Sequence, residues 1–155
     1  MGVYMKIWFC KTTDLGGWLI RLLTFSQWNH VAIEIDGVVY DAMAGKGVRR
    51  MSAWGFEHRW DKAVSIRARV KDKQAAIDFL ESQIGKPYDW VALLAMPFRT
   101  TWQSPHRWFC SELAAKAMIM AGHRRFNIEA FRVTPRDLWV ALPGAEEALQ
   151  AIEKM

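Results

Sequence analysis

An α+β fold, with an antiparallel sheet or small barrel packed against helices, is what the order of patterns along these 155 residues predicts. Three observations carry that expectation. Runs with strand-like alternation or β-branched content gather in the first half, at residues 3–11, 31–35, 38–42 and 63–70. Runs with helical period gather in the second, at residues 72–85 and 108–122. Two of the strand runs are joined by Asp36-Gly37 alone, and a two-residue connection permits only an antiparallel hairpin. Composition is ordinary for a globular chain, 52% hydrophobic and 24% charged, and the length suits one domain with a real core.

Taken in order, residues 3–11 (VYMKIWFCK) form the first strand. A short helix follows within 13–25 (TDLGGWLIRLLTF), with Thr13 or Asp14 as its cap and Trp18, Leu19, Leu22 and Leu23 as its apolar face. The hairpin comes next. Residues 44–52 (AGKGVRRMS) read as a Gly-rich basic loop, and 63–70 alternate as a strand. The 72–85 helix has an acidic start and a glycine stop, 86–96 make a turn running into a helix, and 108–122 form a second strong helix with its own glycine stop. Residues 133–142 close the packed part, roughly 3–142, and 145–155 read as a terminal helix or tail. Repeats and interdomain linkers are missing, so the whole of 1–155 reads as a single domain.

The charge and cysteine counts narrow the function. The net charge is +5, but the arginine pairs are dispersed and no RNA-binding signature is present, so no specific nucleic-acid partner is expected. Weak attraction to an anionic polymer or membrane surface stays open. Two cysteines, Cys10 and Cys110, exclude a disulfide framework and lack zinc-site spacing; no metal or other cofactor is expected, while one bridge between them stays open. Residues 18–25 are too short and too charged to span a bilayer, and no export signal is visible. Cytoplasmic synthesis is the expectation, compatible with later release or delivery to the cell envelope.

Two residues in the hairpin have no obvious packing role. His30, Ala32 and Glu34 share one strand face, and Val31, Ile33 and Ile35 the other. With Asp36-Gly37 as the turn, 34 pairs with 39 and 32 with 41, which puts Asp41 on the His30 face, one diagonal step away. Diagonal neighbours lie roughly 7–8 Å apart, within side-chain reach, whereas Glu34 is about 13 Å along the strand. The pair reads either as an exposed surface contact or as part of a reacting site. Cys110 bears on the choice. It begins an amphipathic helix with inward stripe Cys110, Leu113, Ala114, Ala117 and Ala121, where a helix N-terminus favours thiolate. A buried structural cysteine on the same stripe is the other reading, and Ser104-Pro105 could start the helix earlier and weaken the dipole effect.

The order of "NHVAIEIDGVVYDA", "IGKPYDW", "WFCSEL" and "VTPRDL" resembles the circularly permuted branch of the NlpC/P60 papain-like superfamily, in which the His hairpin precedes the Cys helix. The likeness runs from roughly residue 15 to 138. It implies a papain-like cysteine peptidase or amidase with Cys110 as nucleophile, His30 as base and Asp41 as the polar third member. The last is the softest carry-over, because the family varies there. Gly85-Lys86-Pro87-Tyr88 matches a family segment whose tyrosine borders the site, so Tyr88 is a candidate substrate contact, together with Trp108 beside the cysteine and Trp28 beside the histidine. The implied reaction is hydrolysis of an amide bond in bacterial cell-wall (peptidoglycan) peptides. A lipid acyl hydrolase or acyltransferase on the same triad, and a non-catalytic binding domain of the same fold, are the alternatives.

Overall fold

The computed structural model describes residues 2–98, 104, 106–123, 130 and 133–154. Five strands, β1 (Val3–Lys11), β2 (His30–Ile35), β3 (Val38–Met43), β4 (Gly47–Ser52) and β5 (Lys62–Val70), form one sheet in the order β4-β3-β2-β1-β5. All four neighbouring pairs are antiparallel. The sheet is open, with β4 and β5 as its edges, so of the two expected forms the sheet is realised and the barrel is not. The helices are α1 (Leu15–Thr24), α2 (Ala53–Glu57), α3 (Lys73–Gln83), α4 (Trp90–Ala95), α5 (Cys110–Met120), α6 (Pro135–Ala141) and α7 (Ala145–Glu153), with a 3-10 turn at Met96–Phe98. The α+β class is as the patterns predict.

Local chemistry explains the boundaries. Asp14, rather than Thr13, caps α1 by accepting the Gly17 N–H at 2.6 Å, while the Thr13 hydroxyl and N–H both donate to Asp61. Asp72 and Asp89 cap α3 and α4 in the same way. Thr134 and Asp137 cap α6 reciprocally, with Pro135 in its first turn. The hairpin turn has φ of 51° at Asp36 and 81° at Gly37, both positive as a type I′ turn requires. The register follows: Ile35 faces Val38, Glu34 faces Val39 and Ile33 faces Tyr40.

Residues 44–52 are not a loop. Gly45 and Gly47 supply positive φ for a tight turn after Met43, and Gly47 to Ser52 then pair with β3 along its whole length. The basic composition hid an edge strand, where charged side chains are the usual protection of an open ladder. Residues 145–153 take the helical option and pack on β5, so the tail is part of the packed body.

One sheet face, carrying Ile7, Phe9, Val31, Ile33, Tyr40 and Val64, meets α5 and α3 in the main core. The other face is also covered. Trp8, Cys10, Ala32 and Val39 pack with Phe56 of α2, and Met51 and Trp60 lie against them. β2 is therefore buried at all six positions, so of the two readings of the His30–Asp41 pair the exposed surface contact does not hold.

Gly47 ties this architecture to the segment leading to α5. The Val48 N–H donates to Lys86 O at 2.8 Å, the Gly85 N–H donates to Val48 O at 2.9 Å, and a Cβ on Gly47 would stand 2.4 Å from Lys86 O. Gly47→Ala combines a clash with backbone and a positive φ, so we expect a loss of about 2 kcal/mol or more. Urea unfolding of the variant beside wild type measures it; a loss under about 0.5 kcal/mol would mean the contact is not held in solution.

Candidate active site

His30 opens β2 and Asp41 sits near the end of β3, and the register carries their side chains to one place. His30 Nε2 lies 2.8 Å from Asp41 Oδ2, the diagonal contact that the turn predicts. Glu34, on the same face, is engaged elsewhere: it accepts from Lys6 Nζ at 2.9 Å and from Trp8 Nε1 at 2.7 Å. The distance argument between the two acids therefore holds.

Cys110 reaches the same ring from the opposite direction. Two backbone contacts aim it. The Trp108 N–H donates to Pro87 O and the Asp89 N–H to Trp108 O, so residues 87–89 and 108 form a short parallel bridge immediately before α5. The helix then starts at Cys110, with Phe109 as N-cap, so the cysteine is in its first turn; Pro105, part of the earlier start considered above, lies outside the described residues. The Phe109 N–H is accepted by Glu112, and Ser111 Oγ donates to Val133 O at 2.6 Å, which pins the first turn. All of the predicted inward stripe (Cys110, Leu113, Ala114, Ala117, Ala121) is buried. The Cys110 thiol lies near enough to the His30 imidazole to influence its protonation. With Nε2 committed to Asp41, Nδ1 is the nitrogen left to meet it.

Charges in this cluster are removed from water, and their protonation reflects it. Burial disfavours the His30 imidazolium, but hydrogen bonds to Asp41 and Cys110, reinforced by their negative charge, outweigh it and hold the ring up to about 9. Burial likewise opposes ionised Asp41, yet His30 and then Arg49 pull its carboxyl below the ordinary value. Cys10, directly across from His30 in the β1–β2 ladder, is driven the other way: burial, Asp41 and Cys110 all push its thiol well up. Both cysteines are free thiols, so the bridge between them is not formed.

Three neighbours escaped the sequence reading. Arg49, opposite Asp41 in the β3–β4 ladder, donates from Nε to Oδ1 at 2.8 Å and from a terminal nitrogen to Oδ2 at 3.2 Å. The clue was present, since glycines at 45 and 47 followed by Val-Arg-Arg-Met are compatible with a hairpin return. Trp60 stacks on the His30 ring at 4.8 Å and 15°, and Phe56 lies 6.3 Å from it. No period or motif in residues 53–62 signals that role.

The candidate substrate contacts divide. Tyr88 is buried against Phe109 and Trp90, and burial followed by the Cys110 and Asp89 charges pushes its hydroxyl far up. Trp108 is held by its Nε1–H donating to Gln83 at 3.0 Å and packs edge-on to Phe79. Trp28 is a core residue, 1% exposed and wedged against Phe9 and Trp139. It has no open face toward a substrate. Cys110 and Asp41 are each 1% exposed and His30 4%, so the cluster is enclosed rather than open on a cleft. A groove of about 300 Å³ lined by Trp139, Val140, Leu142 and Glu147 contains none of these residues. Among the described residues no group of three or more His, Cys, Asp or Glu is arranged to hold a metal.

No family model matches the chain, and no curated protein matches it. Function is therefore argued from this cluster.

The protonation shifts predict a pH profile of stability. His30 is raised from 6.5 to about 9, so its contribution is complete below 6.5 and is lost as pH rises through about 9. Asp41 is lowered from 3.8, so its contribution is present above 3.8 and is lost as pH falls through the depressed value. The pair supports the fold best between those limits, and the His30 part is on the order of 3 kcal/mol. Urea unfolding at pH 6 and 9.5 should show a loss of stability in wild type that His30→Gln lacks. An equal loss in both would assign the alkaline limb to other groups.

Proposed function

We propose that the chain is a papain-like cysteine hydrolase that cleaves an amide bond, with bacterial cell-wall peptides as its substrate class. The observation that carries the proposal is a cysteine at the first position of a helix, next to an imidazole whose far nitrogen is held by a buried carboxylate. The resemblance of "NHVAIEIDGVVYDA" and "WFCSEL" to the permuted NlpC/P60 enzymes supports the bond type and substrate.

In this reading the thiol proton resides on His30, and the Cys110 thiolate adds to the acyl carbon. N–H groups in the first turn of α5 stabilise the tetrahedral oxyanion. Collapse breaks the C–N bond, and the His30 proton goes to the leaving amine. Neutral His30 then takes a proton from water as its oxygen attacks the thioester, and the acid departs as Cys110 is restored. Asp41 keeps Nε2 as the outward donor, so that Nδ1 always faces the sulfur. Arg49 holds Asp41 ionised and fixed.

The direct test is hydrolysis of peptidoglycan fragments by the purified protein, with short acyl esters alongside and Cys110→Ala as control. Release of amine that Cys110→Ala abolishes supports the proposal. Ester cleavage alone would move the reaction to acyl lipids, and no turnover of either would leave a binding domain. Given turnover, Asp41→Ala should lower kcat at least about tenfold, while Glu34→Gln stays within a few-fold. The reverse result would dissolve the triad. Iodoacetamide near pH 6.5 should alkylate Cys110 before Cys10, since the Cys10 thiol is pushed up and lies in the sheet interior. Peptide mass spectrometry reads the order, and equal labelling of the two would contradict a selectively activated Cys110.

A further inference from the structure

Two helices that lie against each other, α1 and α4, carry large apolar side chains outward. On α1, Leu15, Trp18, Leu19 and Leu22 recur at helical spacing and are between 45% and 80% exposed. α4 and the 3-10 turn lie against α1 and present Trp90, Val91, Leu94 and Phe98, between 42% and 78% exposed. Their inward contacts are made by smaller or fewer groups, chiefly Gly17, Ile20 and Thr24 on α1 and Leu93 on α4. Helices that are apolar all round are normally enclosed. Contiguous apolar surface on this scale marks a contact with something else.

Phe25 provides an independent sign. It ends α1 with φ of 51°, a left-handed conformation that glycine or asparagine adopts at lower cost, and its ring is 66% exposed. Backbone preference does not explain a phenylalanine there, and its exposure leaves it little packing among the described residues.

Charge selects that medium. Residues 15–25 and 90–98 contain no acid and one charged residue, Arg21. Its guanidinium donates to Thr12 O beside Lys11, and Arg107 is exposed just ahead of Trp108. The acids beside these helices are engaged: Asp14 and Asp89 cap α1 and α4, and Asp61 accepts from Thr13. The chain as a whole carries +5. An acid-free apolar face with tryptophans at its surface and cations at its rim matches the headgroup–acyl boundary of an anionic bilayer. No helix among the described residues is long and apolar enough to cross a membrane, so the contact would be one of lying on it.

We infer that α1 and the α4 segment together form a docking surface for an anionic lipid membrane. This does not depend on the cluster being catalytic. The test is flotation of the full chain with vesicles of equal parts phosphatidylcholine and phosphatidylglycerol, against vesicles of phosphatidylcholine alone. Two variants outside the site are run beside it: Leu22→Ser with Leu94→Ser, and Phe25→Asn, which suits the left-handed backbone and preserves folding if the double variant does not. Wild type should float with the anionic vesicles and bind neutral ones several-fold less. The double variant should lose at least about tenfold in binding, in line with two leucines no longer entering lipid. Absence of flotation, equal flotation of all variants, or equal binding to neutral vesicles would each overturn the inference. So would a concentration-dependent dimer, abolished by the same substitutions, in a protein that ignores vesicles.

Discussion

The register of the β2–β3 hairpin is the constraint on which the rest depends. Side chains alternate across a sheet, so a slip of one residue would send Asp41 to the α5 face and Tyr40 to the other. Asp36 and Gly37 prevent the slip by holding positive φ at both turn positions. From that turn the pairing of Ile33 with Tyr40 follows, and then the reach of Asp41 to His30. The next turn, through Gly45 and Gly47, sets Arg49 against Asp41 and positions β4 to hold residues 85–86, which in turn lead to the bridge that aims Cys110. Two short turns thus place four side chains that lie far apart in sequence.

What those side chains form is expensive by itself. A carboxylate out of water costs several kcal/mol even after relaxation, and an isolated one would take up a proton. Asp41 stays ionised because each oxygen has a charged partner: Arg49 spans both, and His30 shares the second. His30, in turn, is charged because it stands between a carboxylate and a sulfur. The three groups are mutually necessary, and removing one strands the others. Replacement of the cluster by hydrocarbon of similar volume would often be neutral or stabilising. The cluster lies beneath Trp60 and Phe56, and enclosure by aromatic rings strengthens each electrostatic contact within it.

Much of this was legible beforehand, for identifiable reasons. The hairpin, the Asp41–Glu34 choice and the stripe on α5 rest on periods of two and 3.6, which are local geometry. β4 was not legible, because a short edge strand with two arginines in six residues looks like a solvated loop until its partner is known. Trp60 and Phe56 were invisible for a different reason: they reach His30 across the sheet face, by tertiary packing that no local pattern encodes. Trp28 shows the converse. Proximity in sequence to His30 suggested a substrate contact, but a residue two positions before a buried strand is as readily swept into the core, where it meets Phe9 and Trp139.

The polarity of the molecule is inverted at this one end. Charged groups that prefer water, His30, Asp41 and part of Arg49, are enclosed, while large apolar side chains of α1 and α4 face outward a few residues away in sequence. Each departure is unfavourable alone, and among the described residues the second is left uncovered. The two are also joined mechanically. Phe25, at the end of α1, is five residues before His30, and Trp90, at the start of α4, follows the Tyr88 bridge that positions Cys110. The enclosed cluster and the outward apolar residues are thus linked by short, hydrogen-bonded stretches of chain, one leading into β2 and one leading into α5.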